Sequence, residues 1–186
     1  MKKLFVILFA LSILLVGCTK ETIPYGVSVK DGVGFFTFEG PLTSRYLPGA
    51  LEYFSTHGIK RVVMEMHSPG GSFYEMWRII AWMEAYDNIE YETRTYSLAG
   101  SAGLIVFLAG DIRLISHYPT FMWHNVQSYV PEEVKKFYNE RNNTYFASRT
   151  GLTVEQIQEK IESAGGDWYF GAKEAIALGI AHGYIE

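Results

Sequence analysis

Three short segments of this 186-residue chain carry residue types suited to chemistry. In Ser68-Pro69-Gly70-Gly71, adjacent glycines would let the backbone approach a ligand and turn its N–H groups outward, as an oxyanion hole requires. The same residues also suit an ordinary tight strand-to-helix turn. In Leu98-Ala99-Gly100-Ser101-Ala102-Gly103, a strand gives way to an apolar helix. A serine there is by default an N-cap. Small residues on both sides of Ser101 leave room for a substrate carbonyl beside its hydroxyl, and helix N-terminal N–H groups favour negative charge developing there. In Phe121-Met122-Trp123-His124, a histidine ends an apolar strand, as a satisfied core residue or as a general base. A base in a triad needs a carboxylate to orient it. Asp167, in Gly165-Gly166-Asp167-Trp168-Tyr169-Phe170, is a candidate in a tight, semi-buried setting. Asp87 and Asp111 compete on chemistry alone.

Alternating strands and helices would hold these segments. Val27–Phe38 reads as a hairpin turning at Asp31-Gly32, a favoured turn dipeptide. A helix is expected over Ser44–His57, ending at Gly58. Arg61–Met66 follows as a strand, broken by the Pro-Gly-Gly run. Ser72–Tyr86 places Met76, Ile79, Ile80 and Met83 on one helical face. Glu90–Tyr96 alternates as a strand, and Ser101–Ala109 is apolar nearly all round, as in a buried helix. Ile112–Ile115 and Thr120–Trp123 are further strands. Glu132–Arg149 is a long polar helix. Thr153–Ser163 is another, with Thr153 as N-cap and Gln156 at the capping-box position. Lys173–Leu178 is a short last helix. This order predicts one α/β domain with a largely parallel sheet built from βαβ units.

Composition narrows the function classes. Charged residues make up 19% and aromatic residues 16%, which excludes a disordered chain. A net charge of −4 argues against nucleic-acid binding, which needs concentrated positive charge. One cysteine excludes a disulfide framework and a multi-cysteine zinc site, and no metal site is expected. That cysteine, Cys18, closes a distinctive head. Lys2 and Lys3 precede an apolar run over Leu4–Val16, interrupted only by Ser12. The run falls short of the roughly 20 residues that span a bilayer but suits a secretory signal. Leu15-Val16-Gly17-Cys18 resembles a bacterial lipobox. Residues 1–17 are thus expected to be a lipoprotein signal peptide, with Cys18 lipidated and residues 18–25 a tether. Cleavage would leave 14 basic and 20 acidic residues, a net charge of −6.

Taken together, the blocks resemble the Clp protease proteolytic subunit and its relatives in the ClpP/crotonase superfamily, from about Phe35 to the C-terminus. Met66-His67-Ser68-Pro69-Gly70-Gly71 is similar to the family's Asn-Ser-Pro-Gly-Gly segment, with His67 where asparagine is usual. Ala99–Gly103 and Phe107–Gly110 resemble its nucleophile segment and trailing helix. Pro119–His124 resembles its strand ending in Met-Ile-His. Leu152–Ile157 and Asp167–Ile180 resemble its C-terminal stretches. The resemblance implies a spiral of βαβ units with a mostly parallel sheet and a short handle helix within Pro131–Arg149, spanning residues 26–186. It implies Ser101 as nucleophile, His124 as general base, Asp167 as the residue orienting it, and the N–H groups of Gly71 and Ala102 as the oxyanion hole. A substrate would lie extended beside Ser68, Gly70 and Gly71. The order Ser…His…Asp separates this reading from an α/β-hydrolase, whose nucleophile elbow also resembles the Ser101 segment but whose order is Ser…Asp/Glu…His.

The function expected is therefore a serine endopeptidase that cleaves short or unfolded polypeptides through an acyl-enzyme, with no cofactor. An exported protein would lie away from ATP, so no ATPase partner is expected. A homo-oligomer, smaller than a double ring, and membrane attachment through the lipid are expected. The location expected is the bacterial cell envelope, on the exported side of the membrane, and the absence of an aspartate in Thr19-Lys20 after Cys18 points to the periplasmic face of the outer membrane. A catalytically silent lipoprotein binding module is the main alternative, and a crotonase-like acyl-CoA enzyme a lesser one.

Overall fold

The computed structural model describes residues 22–186. The expected signal peptide, Cys18 and the first part of the tether lie outside the described residues. The first elements are the hairpin β1 (Val27–Lys30) and β2 (Val33–Glu39), antiparallel in the register Lys30↔Val33. Asp31 and Gly32 both have positive φ, 52° and 78°, matching the twist that a two-residue hairpin turn must have.

From β2 onward the large sheet is parallel. It runs β1-β2-β3-β4-β6-β9, with β3 at Arg61–His67, β4 at Glu90–Thr95, β6 at Ile112–Ile115 and β9 at Gly183–Tyr184. The crossovers are α1 (Leu47–Thr56), α2 (Phe73–Ala85) and α3 (Ala102–Leu108). Helix α2 buries Met76, Ile79, Ile80 and Met83, the stripe that the 3.6-residue spacing predicts. All seven residues of α3 are buried, in keeping with its all-round apolar sequence. Helix α1 starts later than expected, at Leu47, with Pro48 in its first turn. Ser44 does not cap it, because the Ser44 N–H and hydroxyl both donate to Glu75 Oε2, at 2.6 and 2.7 Å.

A second sheet of three strands departs from the expected pattern. Its order is β5-β7-β8, with β5 at Leu98–Gly100, β7 at Thr120–His124 and β8 at Asp167–Phe170. The strand entering the serine segment is thus not a continuation of β4. The chain bends at Tyr96-Ser97, where Ser116 Oγ donates to the Tyr96 carbonyl at 2.7 Å and Thr120 N to the Ser97 carbonyl at 2.6 Å. Parallel pairing of Ser68 with Ala99 joins the small sheet to the large one. Helices α4 (Glu132–Ser148), α5 (Val154–Ser163) and α6 (Ala172–Ala177) complete the domain. The expected Thr153–Gln156 capping box opens α5 with both reciprocal bonds.

An aromatic chain fills the space between the small sheet and α4. Phe107 meets Phe121, Phe121 stacks on Phe170, Phe170 on Trp168, and Trp168 on Phe146, with ring centroids 4.3–6.1 Å apart. Such pairs add to the burial of their large apolar areas and fix the small sheet against α4. Among the described residues no helix is long and apolar enough to cross a membrane.

Candidate active site

The geometry begins at Ser101. It follows β5, precedes α3, and has φ 49° and ψ −124°, one of two non-glycine residues with positive φ among the described residues. An L-residue held there costs on the order of 1–3 kcal/mol. The hydroxyl makes no N-cap bond, so the default role of a serine at this position does not apply. Its backbone N–H donates to the Met122 carbonyl at 2.7 Å, which ties the turn to β7 two residues before His124.

The Pro-Gly-Gly segment packs directly against this turn. Gly70 has φ 103°, and a Cβ there would stand 2.7 Å from the Gly100 carbonyl oxygen and 2.8 Å from Ser101 Cβ. Only glycine allows both the conformation and the approach. Ser68 is fully buried. Its hydroxyl donates to the Gly40 carbonyl at 2.6 Å and accepts from Gly70 N at 3.1 Å. Its N–H and carbonyl are engaged with Leu98 and Gly100. Ser68 therefore braces the loop, with its N–H, carbonyl and hydroxyl each bonded within the fold. The polar groups of Gly70 are likewise used, its carbonyl accepting from Leu42 N at 2.8 Å. Gly71 differs. In its parallel bridge to Leu42, the groups that face Leu42 come from the residues on either side, so the N–H and carbonyl of Gly71 lie on the opposite edge.

Gly71, Ser101, Ala102 and His124 line one cavity of about 250 Å3, together with Phe73, Trp123 and others. The N–H groups of Gly71 and Ala102 donate no hydrogen bond among the described residues. Two free donors beside a serine hydroxyl are what stabilisation of an oxyanion requires.

Asp167 lies across from His124 in the antiparallel β7–β8 register. It is not in the semi-buried setting expected of it. It is exposed, and its Oδ1 accepts from Gln127 Nε2 at 3.1 Å. His124 Nδ1 is buried without a partner. The competing aspartates are elsewhere. Asp87 and Asp111 line a separate cavity with Tyr145 and Arg149, and Asp111 Oδ2 accepts from Tyr91 N at 2.9 Å. His67 is exposed at the end of β3, with Nδ1 2.5 Å from Ser97 Oγ. Among the described residues, no cluster of three His, Cys, Asp or Glu side chains could hold a metal ion.

Helix α4 supplies what sequence reading missed. Asn142 Oδ1 accepts from Trp77 Nε1 at 3.0 Å, Asn143 Oδ1 from Trp123 Nε1 at 2.9 Å, and Asn139 Oδ1 from Val126 N at 2.7 Å. Asn143 and Asn139 thus fix β7 and the segment after His124, and Asn142 ties α4 to α2. Their recurrence at helical spacing on an otherwise polar helix was the available signal.

Residues 49–186 match the Clp protease family. The chain belongs to that family. By structure it is similar to the ClpP protease catalytic domain from Plasmodium falciparum, at 22% sequence identity, covering 82% of this chain and 84% of that one, with a TM-score of 0.71. No curated protein matches the chain by sequence. The Clp protease fold accounts for the mixed α/β architecture with its mostly parallel sheet. The matched span takes in every residue of the cavity described above.

Proposed function

We propose that the chain is a serine endopeptidase that cleaves short or unfolded polypeptides without ATP. The observation that carries this reading is Ser101, in a strained strand-to-helix turn and on the wall of the same cavity as His124 and the free N–H groups of Gly71 and Ala102. In this reading His124 takes the proton from Ser101 Oγ as the oxygen attacks a peptide carbonyl. Gly71 and Ala102 then receive the oxyanion, and water later resolves the acyl-enzyme. The substrate adds as an edge strand to the free side of Gly71. Asp167 completes the triad by leaving Gln127 for His124 Nδ1, a change that its facing register supports. Lipidation at Cys18 holds the domain at the exported face of a bacterial membrane, and copies of the chain assemble as a homo-oligomer.

A second reading rests on one observation, the Asp167 carboxylate bonded to Gln127 while His124 Nδ1 is unpartnered. In that reading the scaffold binds peptides and does not cut them. A fluorophosphonate probe separates the two. Labelling of the wild type, lost in Ser101→Ala and His124→Ala, is expected of the peptidase. No labelling of the folded wild type would leave the binding module.

A further inference from the structure

The cavity beside Ser101 holds two polar groups whose identities the surrounding hydrogen bonds fix. Asn142 is 4% exposed and lines the cavity. An indole N–H can only donate, so Trp77 must face Asn142 Oδ1, and the Asn142 amide nitrogen is left without a partner among the described residues. Asn125 also lines the cavity, in the wall shared with the groove between α4 and α5. Its orientation follows from a relay. The Glu162 carboxylate accepts from Gln158 Nε2 at 2.8 Å, so Gln158 presents its oxygen, which accepts from Asn125 Nδ2 at 3.3 Å. Asn125 Oδ1 is thereby left over, buried and unpartnered.

One fixed donor on the cavity wall and one fixed acceptor, the latter buried and costly to leave unpaired, match a group that offers an acceptor and a donor in return. A primary carboxamide does so. At about 250 Å3 the cavity is below the roughly 300–1,000 Å3 usual for small-molecule pockets, and is sized for one side chain. We propose that this cavity is a subsite for a glutamine or asparagine side chain, on the residue whose carbonyl Ser101 attacks. Asn142 donates to the side-chain oxygen, and Asn125 accepts from its nitrogen. Phe73, Met76 and Trp123 enclose the aliphatic part of the side chain. A glutamate there would set an acceptor against Asn125 Oδ1, and a methionine would leave both asparagines unpaired. This assignment rests on the peptidase reading for its register with Ser101, and goes beyond that reading in naming a side-chain preference.

The test uses the full-length chain and acetylated tetrapeptide coumarin amides that differ only in having glutamine, methionine or glutamate before the scissile bond. The glutamine substrate is expected to exceed both others in kcat/KM by about tenfold or more. Asn142→Asp keeps the acceptor for Trp77 and replaces the free donor with an acceptor, so it should close the gap between glutamine and methionine. Equal rates on the three wild-type substrates, or an unchanged ranking in Asn142→Asp, would overturn the assignment. The corresponding peptide acids, titrated against Ser101→Ala, read the subsite without chemistry. Preferential binding of the glutamine acid, with no cleavage and no fluorophosphonate labelling of the wild type, would keep the subsite and remove the peptidase. Cleavage without preference would do the reverse, and no selective binding by any of the acids would overturn the subsite.

Discussion

Asp167 stands directly across the β7–β8 pair from His124, yet its carboxylate is held by Gln127 rather than by the imidazole. The backbone has brought the two residues into register, and one side-chain amide competes for the acid. Gln127→Leu removes that competitor. The rate of fluorophosphonate labelling is expected to rise by roughly three- to tenfold, the net scale of one solvent-exposed hydrogen bond. Asp167→Asn should lower peptide turnover by on the order of 10³–10⁴, as loss of the orienting carboxylate does in serine triads. A Gln127→Leu variant no faster than wild type would remove this account of Asp167.

Gly70→Ala tests the packing of the two turns. The added methyl would meet the Gly100 carbonyl and Ser101 Cβ at under 3 Å, at a backbone φ of 103°. A loss of about 2–4 kcal/mol is expected in urea unfolding, from left-handed strain plus the forced separation. Turnover should fall in the fraction that remains folded, since the displaced atoms belong to Ser101.

Arg149 offers a test of how α3 is terminated. Its guanidinium donates to the carbonyls of Leu108 at 2.8 Å, Gly110 at 2.8 Å and Ala109 at 3.4 Å. Arg113 adds a bond to the Gly110 carbonyl at 3.3 Å. Arg149→Met should cost about 2–3 kcal/mol by leaving helix-end carbonyls unpaired, measured as a lower urea midpoint. Arg149→Lys should recover less than half of the loss, because one ammonium cannot reproduce a planar fork.

Acid stability should report on Glu92, whose side chain is fully buried between Arg61 and Arg94. Burial pushes its carboxyl up, but the two guanidiniums bonded to it outweigh that and hold it below the usual carboxylate range. The unfolded chain therefore binds a proton first as the pH falls below about 4.5, and stability is lost as the pH drops through the lowered folded value. Urea midpoints measured between pH 6 and pH 3 should fall less steeply in Glu92→Gln than in wild type. The limb should not vanish, because the two Ser44 hydrogen bonds also hold Glu75 low.

Much of the fold was legible because its signals are local. Asp31-Gly32 carries its own turn chemistry, the Met76–Met83 stripe its own period, and Thr153–Gln156 its own cap. What escaped was set by distant partners. Strand β5 is only three residues, Leu98-Ala99-Gly100, with no alternation, and pairing with β7 and with Ser68 makes it a strand. Strand β8 does alternate, but four residues beginning at an aspartate read equally as a turn. The position of Ser44 likewise depended on Glu75, 31 residues away. At the site, residue types nominated Ser101 and His124 but left Asp87, Asp111 and Asp167 open, and only the family resemblance chose Asp167. It could not show that Gln127 would hold the acid, or that Ser68 would turn inward, since both depend on loop geometry.

The junction of the two sheets has a kinetic consequence. The three side chains proposed for the chemistry come from the ends of β5, β7 and β8, all in the small sheet, whereas Gly71 follows β3 of the large one. A slight tilt of one sheet against the other, about the Ser68–Ala99 bridge, would widen or narrow the gap between nucleophile and anion donor while leaving the proton relay intact. Substitutions that loosen this seam should therefore leave the pH profile unchanged and lower the rate of acylation alone.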